Sequence, residues 1–335
     1  MRYRKQWILI FTCTLLILLA ACGGNKDKEQ ADEALELPEI TFSELDRSQL
    51  TEEKIVAVYE GGEVTGSQFA EYLAFRGFMN PDLDINSEES RKELLKDYIF
   101  SKTFSQEAEV TQEIEEQAEM IWRQLEMVYP EETRKDGYEK LGSSEEKVRE
   151  HLLAYLSAER AIQNYFQSQV TEEEIAQRYH DPEVQEQITL ADVRHILIKT
   201  HEFSEQGNLE EVRPEEEAKK LADELYAQLV AGADFAELAS QHSEDPGSKE
   251  NGGLYAQVPV AQWVPEFKQA ALEQEINEIG QPVKTMYGFH IIRVEDRRVM
   301  PLEEVRTGIL YELANQKLIS YYQDTLPGLI KEMDI

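Results

Sequence analysis

The sequence predicts an α+β chain in which a compact α+β unit is inserted into a mainly helical region built from N- and C-terminal segments. Three observations predict it. Residues 87–129 and 143–166 repeat apolar positions at helical spacing. After Asp181-Pro182 the pattern changes to alternation over 188–198 and to strand-like runs over 283–294, with helical patterns between them. Helical spacing then returns over 302–330.

In chain order, residues 1–21 read as a targeting segment. Arg2, Arg4 and Lys5 precede an apolar run from Trp7 to Ala21, about 15 residues against the roughly 20 that span a bilayer. The run closes on Leu19-Ala20-Ala21-Cys22, which resembles a bacterial lipobox. Its expected fate is cleavage before Cys22, lipid on the Cys22 thiol, and anchoring to the extracytoplasmic face of a cell membrane. Cys13 leaves with the segment, so thiol catalysis, a disulfide and a cysteine metal site are excluded. Such a disulfide-free outward-facing protein fits a Gram-positive bacterium. Residues 22–52, rich in Gly, Lys and Glu, read as a flexible tether.

Residues 53–186 form the N-terminal part of the helical region. Ile55-Val56-Ala57-Val58-Tyr59 reads as a strand ended by Gly61-Gly62, and Thr65 or Ser67 caps the helix of Phe69, Tyr72, Leu73 and Phe75. Leu94, Leu95, Tyr98 and Ile99 make one helical stripe, and Ile114, Ala118, Ile121, Leu125 and Val128 another. Ser143-Ser144-Glu145-Glu146 opens a helix through Val148, Leu152 and Ile162, and Thr171-Glu172-Glu173-Glu174 has the form of a capping box. Residues 187–297 then read as β-α-α-α-β-β. Pro214 opens a helix with Ala218, Leu221, Leu225 and Leu229 on one face, Phe235 to Ala239 mark a short one, and Pro265 starts a third. Asp245-Pro246-Gly247 and Asn251-Gly252-Gly253 punctuate the loops, and Tyr287-Gly288 interrupts the last strands. Residues 298–335 are expected to form a C-terminal helix that packs back onto the first region.

The inserted unit carries Arg194-His195-Ile196-Leu197, the run from Gly232 to Ala239, and Ser243-Glu244-Asp245-Pro246-Gly247-Ser248. Asn251-Gly252-Gly253, Val264-Pro265-Glu266-Phe267, Val283-Lys284-Thr285 and the run from Tyr287 to Ile292 follow. In this order the segments resemble a parvulin-type peptidyl-prolyl cis/trans isomerase domain. The whole layout resembles the PrsA-type foldase lipoproteins and is similar in plan to the SurA chaperones. The resemblance implies catalytic positions at His195, Asp245, Thr285 and His290, with the histidines buried and facing. It implies a proline pocket of Tyr255, Val258, Trp263 and Phe267, with Phe267 under the ring. Three positions depart from the family: Tyr255 replaces an apolar residue, Val258 stands where phenylalanine is usual, and Trp263 where methionine is. No cofactor is implied, and a metal on the histidine pair lacks a third ligand at suitable spacing.

The chemistry asked of such a site is modest. An amide rotates over a barrier of about 18–20 kcal/mol, and only X-Pro bonds populate both isomers appreciably. The catalyst needs an apolar seat for the ring and polar groups that favour the twisted amide over the planar one. The net charge of −33 argues against nucleic acid and leaves a soluble, acidic surface. The implied partners are unfolded or folding exported proteins and, through the lipid on Cys22, a membrane; a homodimer of helical halves would enclose a client. Tyr155, Tyr165, Phe166, Tyr321 and Tyr322 read as core of the helical region, or as the lining of a client groove. The alternative function is a non-catalytic chaperone whose parvulin unit is a degenerate scaffold. A transporter's ligand-capture lipoprotein would need two mixed α/β lobes, which the helical region does not offer. Lys199, Glu202, Glu205, Glu210, Glu211 and Arg213 make the loop after the first strand of the unit acid-leaning, so no phosphate preference is expected.

Overall fold

The computed structural model describes residues 40–335 apart from 205. The targeting segment, Cys22 and the tether up to residue 39 lie outside the described residues. Among the described residues no helix is long and apolar enough to cross a membrane.

The chain opens with a hairpin, β1 (Ile55–Tyr59) and β2 (Gly62–Thr65), which leads directly into α1 (Gly66–Met79). Thr65 caps that helix: its side chain accepts from Gln68 N–H, and the Gln68 side chain accepts from Thr65 N–H. There follow α2 (Glu88–Phe104), α3 (Gln112–Val128), α4 (Glu131–Leu141), α5 (Glu145–Ser168), α6 (Glu172–Tyr179) and α7 (Pro182–Gln187). The long α5 is the hub, with α1, α2 and α3 packed around it. The Thr171 capping box is formed as the sequence indicates.

The inserted unit begins with β3 (Thr189–Lys199) and a small hairpin, β4 (His201–Phe203) and β5 (Leu209–Glu211). It continues with α8 (Glu215–Val230), α9 (Phe235–His242), β6 (Leu254–Pro259), α10 (Pro265–Glu273), β7 (Val283–Lys284) and β8 (Gly288–Val299). Its antiparallel sheet has the order β6-β3-β8-β7. Ile196, Ile198, Phe289 and Ile291 pack with α8 and α9 on one face, while Ala191, Val193, Ile292 and Val294 pack with α10 on the other. Both faces are thus buried, and β3 is buried nearly throughout rather than at alternate residues. Neither β6 nor the β4–β5 hairpin is signalled by the sequence pattern.

The chain then returns to the helical body through α11 (Leu302–Ser320), which lies on α5 and α6. Residues 298–335 are not one helix, however. A π-helical turn (Tyr321–Thr325) leads into α12 (Leu326–Leu329) and a final strand, β9 (Ile330–Met333), which pairs antiparallel with β1. Pro327 and Gly328 end the helical run. The N- and C-terminal parts of the helical body are therefore hydrogen-bonded in one sheet, β2-β1-β9, with the α+β unit between them in sequence. Tyr321 packs against Phe100, Phe104 and Phe166, so this aromatic set joins the C-terminal turn to α2 and α5.

A second correction concerns the tether. Phe42, Leu45 and Leu50 are buried, so the chain is already docked from residue 42. Phe42 stacks on Phe78 at 5.5 Å and meets Tyr129 edge-on at 5.8 Å. Arg47 donates to the Leu141 and Gly142 carbonyls, and buried Arg91 donates to the Asp46 carbonyl. Three scattered apolar residues without periodicity give no signal, but Phe42 lies between Phe78 of α1 and Gly137 of α4. Phe42→Ala is expected to destabilise the chain by about 3–5 kcal/mol, the usual cost of emptying a buried phenylalanine site. Urea unfolding checks this, and an unchanged midpoint would return residues 41–50 to the tether.

Candidate active site

The register of β3 on β8 builds the centre of the unit. His195 lies opposite Ile292, and Leu197 lies opposite His290. The two histidines are therefore diagonal neighbours on one face of the sheet. Their Nδ1 atoms are 3.3 Å apart, and both rings are buried. Phe267, from α10, meets both rings edge-on at 5.2 Å, and Trp263 packs on Phe267 at 5.0 Å.

Asp245 comes from the loop after α9. β6 covers β3 only from Leu190 to Arg194, and the 243–253 loop takes over the exposed strand edge beyond it. Leu197 N–H donates to Ser243 Oγ at 3.2 Å, Glu244 N–H to the Leu197 carbonyl at 2.9 Å, and His195 N–H to the Gly253 carbonyl at 2.9 Å. Gly253 has a φ of +80°, and a Cβ there would stand 2.3 Å from the His195 carbonyl oxygen, so only glycine lets the loop lie this close. This edge pairing sets the Asp245 Oδ2 atom 3.1 Å from His195 Nε2.

The polar atoms form one row. Ser248 Oγ lies 2.9 Å from His195 Nε2 and donates to Asp245 Oδ2 at 2.5 Å. Tyr255 Oη donates to the same oxygen at 2.9 Å. At the other end, Thr285 Oγ1 is 2.9 Å from His290 Nε2 and accepts from Tyr287 N–H at 3.2 Å. An ionised Asp245 requires a proton on His195 Nε2, which leaves His195 Nδ1 as an acceptor. His290 then donates from Nδ1 and accepts the Thr285 hydroxyl at Nε2. Every partner is satisfied with both rings neutral.

Burial pushes the Asp245 carboxyl up, but hydrogen bonds from His195, Ser248 and Tyr255 outweigh it and hold the group well below the usual carboxylate range. Burial is also the main cause that brings His290 down to about 3, helped by the neighbouring His195. Burial and the bond to Asp245 push Tyr255 up to about 12.

Above this row lies a cleft of about 420 Å³ lined by His195, Asp245, Tyr255, Trp263, Phe267 and His290, with Leu197, Phe203 and Tyr287 at its sides. Thr285 is buried beneath it. Tyr255 does not fill the cleft, because its hydroxyl is held aside by Asp245. Gly247 makes room for that bond: a Cβ there would stand 2.2 Å from the Tyr255 oxygen. Val258 is a correction, since it lies outside the cleft lining. β6 has an extra residue between the Val193–Tyr255 and Ala191–Val258 pairs, with Gln257 at φ 53°, and this bulge leaves Val258 beside Ala191. Ser248 was missed as a site residue; its place directly after Asp245-Pro246-Gly247 was the available signal. Among the described residues no group of three or more His, Cys, Asp and Glu is placed to hold a metal ion.

A short antiparallel sheet with two facing histidines, an acid on a strand-edge loop and an aromatic floor defines a class, and the comparisons give it a family. Residues 179–298 match the PPIC-type PPIASE domain family. The chain is 33% identical over 189 residues to the foldase protein PrsA of Caldanaerobacter subterraneus subsp. tengcongensis, covering 56% of this chain and 55% of that one. It is 33% identical over 195 residues to foldase protein PrsA 4 of Bacillus cereus, covering 57% and 59%. The match thus spans little more than half the length of either relative. With foldase protein PrsA of Geobacillus kaustophilus it shares 30% identity over 250 residues, 73% of this chain and 76% of that one. The chain belongs to the PrsA foldase family.

The histidine pair has a consequence for stability. His290 takes up a proton near its ordinary value of 6.5 when the chain is unfolded, but only near 3 when folded. Between those values the unfolded state binds more protons, so stability is complete above pH 6.5 and falls as pH drops towards 3. The contribution of Asp245 is present above 3.8 and is lost below it, in the same direction. The thermal midpoint of the chain should lose ground to that of His290→Asn on acidification from pH 7 to 4; a constant difference between the two would contradict the neutral, buried histidine.

Proposed function

We propose that the chain is a membrane-anchored extracytoplasmic foldase that isomerises X-Pro bonds in exported proteins and binds them while unfolded. The observation that carries this reading is the row Asp245–His195–His290–Thr285 under an aromatic-floored cleft. A proline ring on Phe267, beside Trp263, would bring the preceding carbonyl over that row. The planar amide is stabilised by charge separation between oxygen and nitrogen. A dry seat beside a fixed carboxylate weakens that stabilisation and lowers the cost of twisting. Asp245 is the charged group facing the cleft. His195, Ser248 and Tyr255 hold its charge in place, while His290 and Thr285 hold His195.

The helical body, residues 53–186 with 298–335, is proposed to hold the unfolded client, and Cys22 to carry the lipid. The names of the PrsA relatives support a foldase role. A second reading, a non-catalytic chaperone with a scaffold unit, is favoured by one observation: Asp245 Oδ2 already accepts from Ser248 and Tyr255 and lies within reach of His195.

Cis/trans exchange of short X-Pro peptides, followed by NMR with the full chain, separates the two. The isomerase reading expects faster exchange, reduced about 10²-fold or more in Asp245→Ala, the scale of losing one well-placed electrostatic group. No acceleration by the folded chain would leave the chaperone reading.

A further inference from the structure

Arg194 directly precedes His195 on β3, so its side chain leaves the sheet on the opposite face, the one that packs on α8 and α9. In register it stands opposite Arg293 of β8. Like charges directly opposite one another disfavour an antiparallel pair. Glu295 removes that conflict. Val193 pairs with Val294 and Asp192 with Asp296, which leaves Glu295 as the extra residue of a bulge in β8. Its carboxylate accepts from Arg194 Nε at 2.8 Å and from Arg194 Nη2 at 3.4 Å, and Arg293 bonds the same carboxylate. Arg293 in turn lies over the Phe235 ring of α9 at 5.1 Å. The acid that receives Arg194 is therefore fixed on both sides.

The remaining arm of Arg194 reaches the turn after Ser248. Its Nη1 donates to the Gly252 carbonyl at 2.8 Å and lies 3.4 Å from the Asn251 carbonyl. Gly252 has a φ of +63°, and a Cβ there would stand 2.7 Å from Ala236 Cβ and 3.0 Å from Arg194 Nη1. The turn is thus pressed between α9 and the guanidinium. It is closed on Ser248, whose carbonyl accepts from Gly253 N–H at 2.8 Å and from Asn251 N–H at 2.9 Å. It also supplies the Gly253 carbonyl that receives His195 N–H. The Ser248 hydroxyl then reaches both His195 Nε2 and Asp245 Oδ2. The other half of the loop is held separately: the Glu244 carboxylate accepts from Lys199 N–H at 2.7 Å and from both arms of the Arg213 fork. Arg194 therefore acts on the Ser248 half.

We propose that Arg194, aimed by Glu295, is a positioning residue for the isomerase: its free arm holds the Asn251-Gly252-Gly253 turn so that Ser248 and Asp245 stay against His195. This rests on the isomerase reading. The same planar fork serves two acceptors at once, the Glu295 carboxylate on one edge and the turn on the other, which a lysine ammonium at this place would not do.

The test follows cis/trans exchange of a short X-Pro peptide by NMR, over a range of peptide concentrations, with the full chain, Arg194→Met and Arg194→Lys. Arg293 still pairs with Glu295 in both variants, so the acid keeps a partner. In Arg194→Met kcat should fall about tenfold or more, the scale of a small misplacement of a reacting group. KM should stay unchanged, because Trp263 and Phe267 lie with the other face of the sheet. Arg194→Lys should recover little of the lost rate. Amide hydrogen exchange gives a readout apart from the reaction: His195 N–H should exchange faster in both variants, while Leu197 N–H, bonded to Ser243 Oγ, should not. An unchanged kcat, a loss carried by KM, full recovery in Arg194→Lys or unchanged exchange at His195 N–H would overturn the positioning role and leave the isomerase reading intact. No acceleration by the unaltered chain would overturn both.

Discussion

The long antiparallel pairing of β3 with β8 is the constraint on which the rest depends. A strand that slips by one residue exchanges its two faces. Here both faces are committed, one to α8 and α9 and the other to α10 and the cleft. A slip would drive His195 into the helix-covered core and Ile196 into the site. The apolar packing of Ile196, Ile198, Phe289 and Ile291 therefore fixes where the histidines stand. The geometry of the histidine pair is set by hydrophobic register, and no separate device is needed to aim the two rings.

The second constraint is electrostatic. Two imidazoles buried side by side are costly if charged, and costly again if left without partners. The row solves both problems through one direction of donation, from Tyr287 N–H through Thr285, His290 and His195 to Asp245. The carboxylate at the end sets that direction, because it accepts only. Ser248 and Tyr255 add donors to the same oxygen and keep the charge in place. Tyr255, which departs from the family pattern, is thus a partner of the acid rather than an obstruction. Gly247 and Gly253 allow this crowding, the first beneath the Tyr255 hydroxyl and the second against the β3 backbone.

Much of this was legible in the sequence, for physical reasons that vary by element. The stripe Ile114, Ala118, Ile121 and Leu125 is buried in α3, and the Thr171 box caps α6, because local period and capping chemistry decide such elements. The ordered segments around His195, Asp245 and His290 indicated the site, since each sits in a short local phrase. Elements stabilised only by distant partners were silent. β6 ends on Pro259 and contains a bulge, β4–β5 is rich in charge, and β9 exists because β1 is there to receive it. Phe42 is three residues from the nearest apolar core neighbour in sequence and owes its burial to Phe78, Tyr129 and the gap left by Gly137. Ser248 is marked only by its place directly after Asp245-Pro246-Gly247, and its role arises when the loop folds against β3.

The direction of donation along the row is the central claim, and ¹⁵N chemical shifts of the two imidazoles at neutral pH test it most directly. The expected pattern is two neutral rings, with the proton on Nε2 of His195 and on Nδ1 of His290. A charged ring, or the opposite tautomer in either residue, would contradict an ionised Asp245 that orders the row.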